Sequence, residues 1–358
     1  MKKLLVGFSI GLAAVGCIAD DNDVELKQTT EIIGLLKSHY VDAGQLDGKQ
    51  LGDATITGLL KALGAGAQLL TAEEAKSKVP AIEACAQTGQ RLARAEVINP
   101  KIGYIRLADV EQAAVSELDA ELTKFAAARV TGYVLDLRFA DGTNYAAAAA
   151  LAGRFLRDGQ DLFTIKSSDK PPVPFRSDTR ASANMADAPL MILVNHCTRG
   201  AAEVLAGALR AQDRGIVIGA ATSGDALVWE DLPLSDGRVL RIAAAKIELP
   251  KGNMFPGGIT PDVPVKIDAK AEQNAMLNST NMTLTASLTA EQTHKMMTEA
   301  DLVKYHRGES LDLPGVKSST NKTNGADSDK SKDTSVRDVV LQRAVDILKG
   351  IRVLLSWQ

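Results

Sequence analysis

The sequence predicts an α/β fold organised around a mostly parallel sheet, and three observations carry that prediction. Between residues 101 and 219, short apolar runs such as Tyr133-Val134-Leu135 and Met191-Ile192-Leu193-Val194 alternate with longer stretches of helical periodicity. These runs are apolar on successive residues rather than on every second one, as strands covered on both faces require. With 45% hydrophobic and 24% charged residues in 358, the chain has enough apolar surface for one large core with smaller attachments.

The chain opens with Lys2 and Lys3, an uncharged apolar stretch from Leu4 to Gly16, and then Asp20, Asp21 and Asp23. This reads as an export signal over residues 1–19, too short for a permanent membrane span. Ala14-Val15-Gly16-Cys17 approximates a bacterial lipobox with Ala14 in place of the usual Leu, making Cys17 a lipidation candidate. Cleavage near Ala19 without lipid is the alternative. Either way the expected location is the periplasm or a membrane face of a bacterium, with membrane contact limited to that anchor. Removing Lys2 and Lys3 from the 41 basic residues leaves 39 against 44 acidic ones, so no nucleic-acid partner is expected. In an oxidising compartment Cys85 and Cys197 have two readings, a mutual disulfide or buried thiols. The four His and three Cys share no metal-ligand spacing, and neither a metal nor a cofactor is expected.

Residues 20–100 are expected to form a helical amino-terminal segment. Ile32, Ile33, Leu35 and Leu36, then Ile56, Leu59, Leu60 and Leu63, recur at helical spacing, Gly64-Ala65-Gly66 ends the second helix, and Thr71 with Glu73 and Glu74 starts a short third one. The core is placed at 101–269. Its strands are expected at Ile102–Leu107, Gly132–Arg138, Pro189–Val194 and Gly215–Gly219, and its helices at Ala113–Ala128, Tyr145–Leu156 and Gly200–Ala211. Ligands of such sheets bind beyond the carboxyl ends of the strands, which points to loops 139–144 and 195–201. A less ordered extension is expected over 270–316 and a flexible linker over 317–335, rich in Ser, Thr, Asn, Asp and Lys. A final amphipathic helix over 336–358 should dock on the body through Val339, Val340, Leu341, Ala344, Ile347, Leu348 and Ile351.

Four blocks then resemble the carboxy-terminal processing, or tail-specific, peptidases of family S41, which are Ser-Lys enzymes. They are Ile102–Leu107 with Tyr133–Arg138, Leu193-Val194-Asn195 with Ala201–Leu209, Leu234–Gly237 through Pro250-Lys251-Gly252 to Gly258-Ile259-Thr260-Pro261-Asp262-Val263, and short segments at Glu299–Leu302 and Leu341–Ala344. The resemblance implies a parallel-sheet ClpP/crotonase-like core with a β-ribbon subdomain. It also implies proteolysis by a serine nucleophile and a lysine base.

Two positions depart from the family pattern. Counting back from Glu203 in the family's S-A-S-A-S-E-like run places Gly200 at the nucleophile, and Thr222-Ser223-Gly224 matches the T-x-G-K-G-like turn until Asp225, which stands where the lysine belongs. Without a hydroxyl and a neutral amine, no Ser-Lys mechanism operates. The family's oxyanion hole carries over to the backbone N–H groups of Gly142 and Ala201. These groups have two readings, an anion site for a peptide carboxylate or a helix end that meets water. Among replacement nucleophiles, Cys197 beside His196 reads as core packing, and Thr198, Thr222 and Ser223 as turn residues bonded to local backbone. Lys246 and Lys251 read as solvated. The 31 residues from Thr71 to Lys101 are too few for the PDZ domain of the family. The expected function is a catalytically inactive homologue that binds extended peptides or envelope proteins, the alternative being a serine-type endopeptidase with an altered site.

Overall fold

The computed structural model describes residues 22–41, 47–76, 92–98, 101–178, 183–253, 257–279 and 338–355. The export signal, Cys17, Cys85, the linker over 317–335 and most of the 270–316 extension lie outside the described residues. The chain divides into two units, residues 1–69 and 70–358.

In the first unit, helices α1 (Asn22–His39) and α2 (Gly48–Leu63) follow the predicted periodicity, and a 3-10 turn at Gly64–Gly66 stops the second where the glycines foretell it. Next come β1 (Ala67–Leu70) and α3 (Ala72–Lys76). A reciprocal capping box opens α3: the Thr71 N–H donates to Glu74 Oε2 at 2.8 Å, and the Glu74 N–H donates to Thr71 Oγ1 at 3.2 Å.

The second unit holds the core, built from β2 (Leu92–Ile98), β3 (Ile102–Leu107), α4 (Gln112–Ala127), β4 (Gly132–Asp136), α5 (Tyr145–Gly153), β5 (Asp161–Ser167), β6 (Val173–Arg176), α6 (Ala183–Asp187), β7 (Leu190–Val194), α7 (Gly200–Ala211), β8 (Ile216–Gly219), β9 (Leu227–Pro233), β10 (Val239–Leu249), β11 (Gly252–Asn253), β12 (Val263–Pro264), α8 (Ala269–Ser279) and α9 (Val339–Leu355). One sheet runs β12-β8-β7-β4-β3-β2, parallel throughout except for β2, which pairs antiparallel with β3. The strand β2 corrects the expectation that residues 20–100 are helical. In a second, antiparallel sheet β9, β5 and β11 pair with β10, and β6 pairs with β5.

Successive strand side chains take opposite faces, and both faces are covered. Ile105, Tyr133, Leu135, Ile192 and Val217 meet α4, α5 and α7 on one side. Tyr104, Val134, Met191, Leu193 and Ile218 meet Val340, Leu341, Ala344, Val345 and Leu348 of α9 on the other. The docking of the last helix is therefore as the sequence predicts. A helix at Ala269–Ser279 replaces the expected loss of order beyond 269, and its Glu272, Ala275 and Met276 are buried.

Candidate active site

Three loops leave the carboxyl ends of the central strands and converge: 137–144 after β4, 195–199 after β7, and 220–226 after β8. The first turns sharply because Phe139 adopts a left-handed φ of 60°, an uncommon state for a bulky residue. Its N–H is held by Asn195 Oδ1 at 3.1 Å. The second loop is fastened by Thr198, whose Oγ1 accepts the Asn195 N–H at 3.0 Å and donates to the Leu137 carbonyl at 2.8 Å. Thr198 is fully buried, so its hydroxyl serves the turn, as expected.

Gly200 opens α7 with a φ of +50°, and a Cβ there would overlap the carbonyl oxygen of Gly142. Gly142 has a φ of +148°, and a Cβ on it would sit 2.9 Å from the Val110 carbonyl oxygen. Together the two glycines let the loops approach more closely than side chains allow. The Ala201 N–H donates to the Gly142 carbonyl at 2.7 Å, and the Gly142 N–H donates to Asp141 Oδ1 at 2.7 Å. The first four N–H groups of α7 all have partners. Gly200 reaches Asp225 Oδ1 at 3.4 Å, Ala201 reaches Gly142, and Ala202 and Glu203 reach the Arg199 carbonyl at 3.0 and 3.2 Å. Both readings of this helix end are thereby corrected. Gly142 and Ala201 neither hold an anion pocket open nor face water, because the short approach across Gly200 makes them each other's neighbours.

Asp225 stands at the position of the family's lysine and is bound rather than poised. Its Oδ2 takes Arg199 Nε at 2.7 Å and Nη2 at 2.5 Å, and its Oδ1 takes the Ser223 hydroxyl. Ser223 is exposed and spends its hydroxyl on this carboxylate, not on local backbone as the sequence suggests. Thr222 does the same with Glu203, to which it donates.

Glu203 lies completely buried beneath the turn. Its Oε1 accepts from the Thr222 hydroxyl and, at 2.8 Å, from the Gly224 N–H. Burial pushes its carboxyl up to about 7, against the lowering effect of these two hydrogen bonds. Nearby, Tyr145 donates to the Leu227 carbonyl at 2.8 Å, and burial followed by the charges of Asp225 and Glu203 raises its phenol well above the usual range.

The remaining candidates are dispersed. His196 is exposed, Lys246 is exposed on β10, and Lys251 pairs with Asp213 at 2.5 Å. Cys197 is disulfide-bonded, with its partner outside the described residues. Its side chain is buried against Phe139 and Met276, as the packing reading has it, and the disulfide removes a thiol from the site. Among the described residues no group of three or more His, Cys, Asp or Glu is arranged to hold a metal ion.

Residues 101–265 match the model of peptidase family S41. This core is similar to those of the S41 peptidases. The chain is 31% identical over 218 residues to the chloroplastic C-terminal processing peptidase of Tetradesmus obliquus, covering 59% of this chain and 46% of the relative. It is also 31% identical over 170 residues to the carboxy-terminal-processing protease of Bartonella bacilliformis, covering 46% of this chain and 39% of the relative. The chain thus spans under half the length of these curated relatives. Among solved structures, a candidate peptidase from Parabacteroides merdae superposes with a TM-score of 0.50 at 16% identity, over 70% of this chain and 85% of that one, and shares the fold. The matched residues 101–265 include both Gly200 and Asp225.

Proposed function

We propose that this protein is a catalytically inactive member of the C-terminal processing peptidase family, exported to the cell envelope, where it acts by binding extended peptides or envelope proteins. One observation carries the reading: at the nucleophile position the backbone conformation and the adjoining Gly142 carbonyl exclude any side chain, and Asp225 is paired with Arg199. An acyl-transfer enzyme needs a nucleophile next to a base and free donors where the oxyanion develops. Each of these three parts is absent or already engaged. The hydroxyls of Thr198 and Ser223 serve structural hydrogen bonds, and the Cys197 sulfur is in a disulfide. The apolar stretch before Cys17 supports export.

Incubation of the purified mature protein with an unfolded substrate, followed by exposure to a fluorophosphonate probe, tests the inactive reading. The expected result is no cleavage and no labelling at high protein concentration. Cleavage abolished by changing Ser223, Thr198 or Cys197 would establish an altered serine- or cysteine-type peptidase instead. Pull-down from envelope extract, repeated with a β10 variant, tests the binding half.

A further inference from the structure

Two buried polar residues at the carboxyl ends of central strands each join a site loop to a C-terminal helix. Arg138 is fully buried and directly precedes Phe139, the left-handed residue that starts the Asp141-Gly142 turn. Asp136 grips its guanidinium from one side, at 3.0 Å to Nε and 2.6 Å to Nη2. Asp338 grips it from the other, at 2.9 Å to Nη1 and 2.7 Å to Nη2. The same Asp338 carboxylate accepts the Leu341 N–H at 3.0 Å, so one side chain both caps α9 and holds the arginine. Asn195 is also fully buried; its Oδ1 takes the N–H groups of Phe139 and Cys197, both at 3.1 Å, and its Nδ2 donates to Glu272 Oε2 of α8 at 3.2 Å. Glu272 Oε1 lies 3.6 Å from Arg138. The two loops that meet at Gly142 and Ala201 are thus wired to both C-terminal helices.

We propose that α9 is the positioning element of the closed pocket: Asp338, acting through Arg138 and Phe139, holds the Asp141-Gly142 turn against Ala201, and undocking of α9 opens it. A bulky residue at positive φ persists only where its surroundings over-determine it. Here part of that constraint comes from a residue 200 positions further along the chain. When Asp338 leaves, the buried guanidinium loses two charge-assisted hydrogen bonds. Phe139 then relaxes toward an ordinary backbone conformation, which rotates the peptides that follow. The Gly142 carbonyl withdraws, and the Ala201 N–H faces the cleft at the amino end of α7, a ready acceptor for an anionic group. In the closed state the pocket is latched from the opposite end of the sequence. This gating adds regulation to the binding reading, on which its ligand consequence rests.

Hydrogen exchange read by mass spectrometry on the full chain tests the latch without any ligand. Wild type, D338N and L118A are compared equally far below their melting temperatures. L118A serves as control because Leu118 is a buried residue of α4, which packs on the opposite face of the sheet from α9. The expected result is at least tenfold faster exchange in peptides covering 139–144 and 195–203 for D338N, with wild-type rates there for L118A. Faster exchange confined to α9, or an equal rise in every segment of both variants, would overturn the proposal. Should D338N fail to fold, E272A removes the second arm and the same loop-specific rise is expected; wild-type protection of both loops would then overturn it. Binding of a peptide to the wild type is a separate measurement, so failure of the latch leaves the binding reading to its own test.

Discussion

The carbonyl oxygen of Gly142 receives the Ala201 N–H at 2.7 Å, and the Gly142 N–H donates to Asp141 Oδ1, so both N–H groups that the S41 motif assigns to an oxyanion hole are engaged. The first contact requires Gly200 beside it, since a Cβ at 200 would occupy the place of the same carbonyl. In the proposed inactive reading, the missing side chain at 200 and the close approach of the two loops are one structural feature. Restoring serine and lysine at 200 and 225 therefore does not restore a site. The double variant G200S/D225K is expected to show no peptidase activity in a casein-degradation assay, and activity within a hundredfold of an intact family member would refute the closure.

The same geometry sets a stability prediction. G200A places a side chain on a left-handed residue and against a backbone carbonyl, a strain of about 1–3 kcal/mol. Urea denaturation should show that loss, and a neutral or stabilising effect would mean that the loops separate freely.

Asp225 is a pairing residue in this arrangement, with its side chain still partly exposed at 26%. Exposed and half-exposed ion pairs contribute about 0–1 kcal/mol. D225N should lower stability by no more than that and leave every catalytic readout as in the wild type. A bell-shaped pH profile lost in D225N would instead identify a general base.

Glu203 gives a pH dependence whose sign follows from its shift. Its folded carboxyl is raised to about 7, above the unfolded value of 4.5, so the folded state holds a proton that the unfolded state has released between those values. Stability should fall as pH rises through that window, by about 3 kcal/mol once above it. Denaturation midpoints of wild type and E203Q at pH 5 and pH 8 check this, because the variant lacks the titration and should overtake the wild type as pH rises.

Arg138 contacts three buried carboxylates, those of Asp136, Asp338 and Glu272. Replacing it with an apolar residue strands those charges, and breaking a buried pair this way costs about 3–5 kcal/mol. R138L should therefore fold marginally or not at all near neutral pH, with partial recovery in mild acid as the carboxylates take up protons. Equal stability of R138L and wild type at pH 7 would show that the cluster contributes little.

The parts of the fold legible in the sequence are those where a residue's environment is set by its neighbours in the chain. The Gly200–Ala211 helix and the β7 run Leu190–Val194 read directly from apolar periodicity. Strand β2 does not, because Leu92-Ala93-Arg94-Ala95-Glu96-Val97-Ile98 mixes charge and small residues as an edge strand does. Helix α8 escapes notice for a related reason, since it buries only a few residues, among them the charged Glu272. At the site, the identities at 200 and 225 are visible in the motif, and their departure from it is the strongest functional signal in the chain. The closure is not visible there. It depends on a φ value at Gly200 and on the partners of N–H groups, neither of which a residue's name specifies. The disulfide at Cys197 remains one of two open readings until coordinates exist, since three cysteines fix no pairing by count alone.

The buried arginine and its capping aspartate also constrain the order in which the protein is made. Arg138 leaves the ribosome 200 residues before Asp338, and the sheet face destined for α9 emerges early with its apolar side chains uncovered. Until that helix appears, the Arg138 guanidinium lacks the two hydrogen bonds that Asp338 supplies and the sheet presents an open hydrophobic wall. Native packing is consequently completed only once residues 338–355 have emerged, and so distant a closure slows it. A chain truncated just before residue 338 would be a natural client of chaperones, however much of its peptidase-like body had already been synthesised.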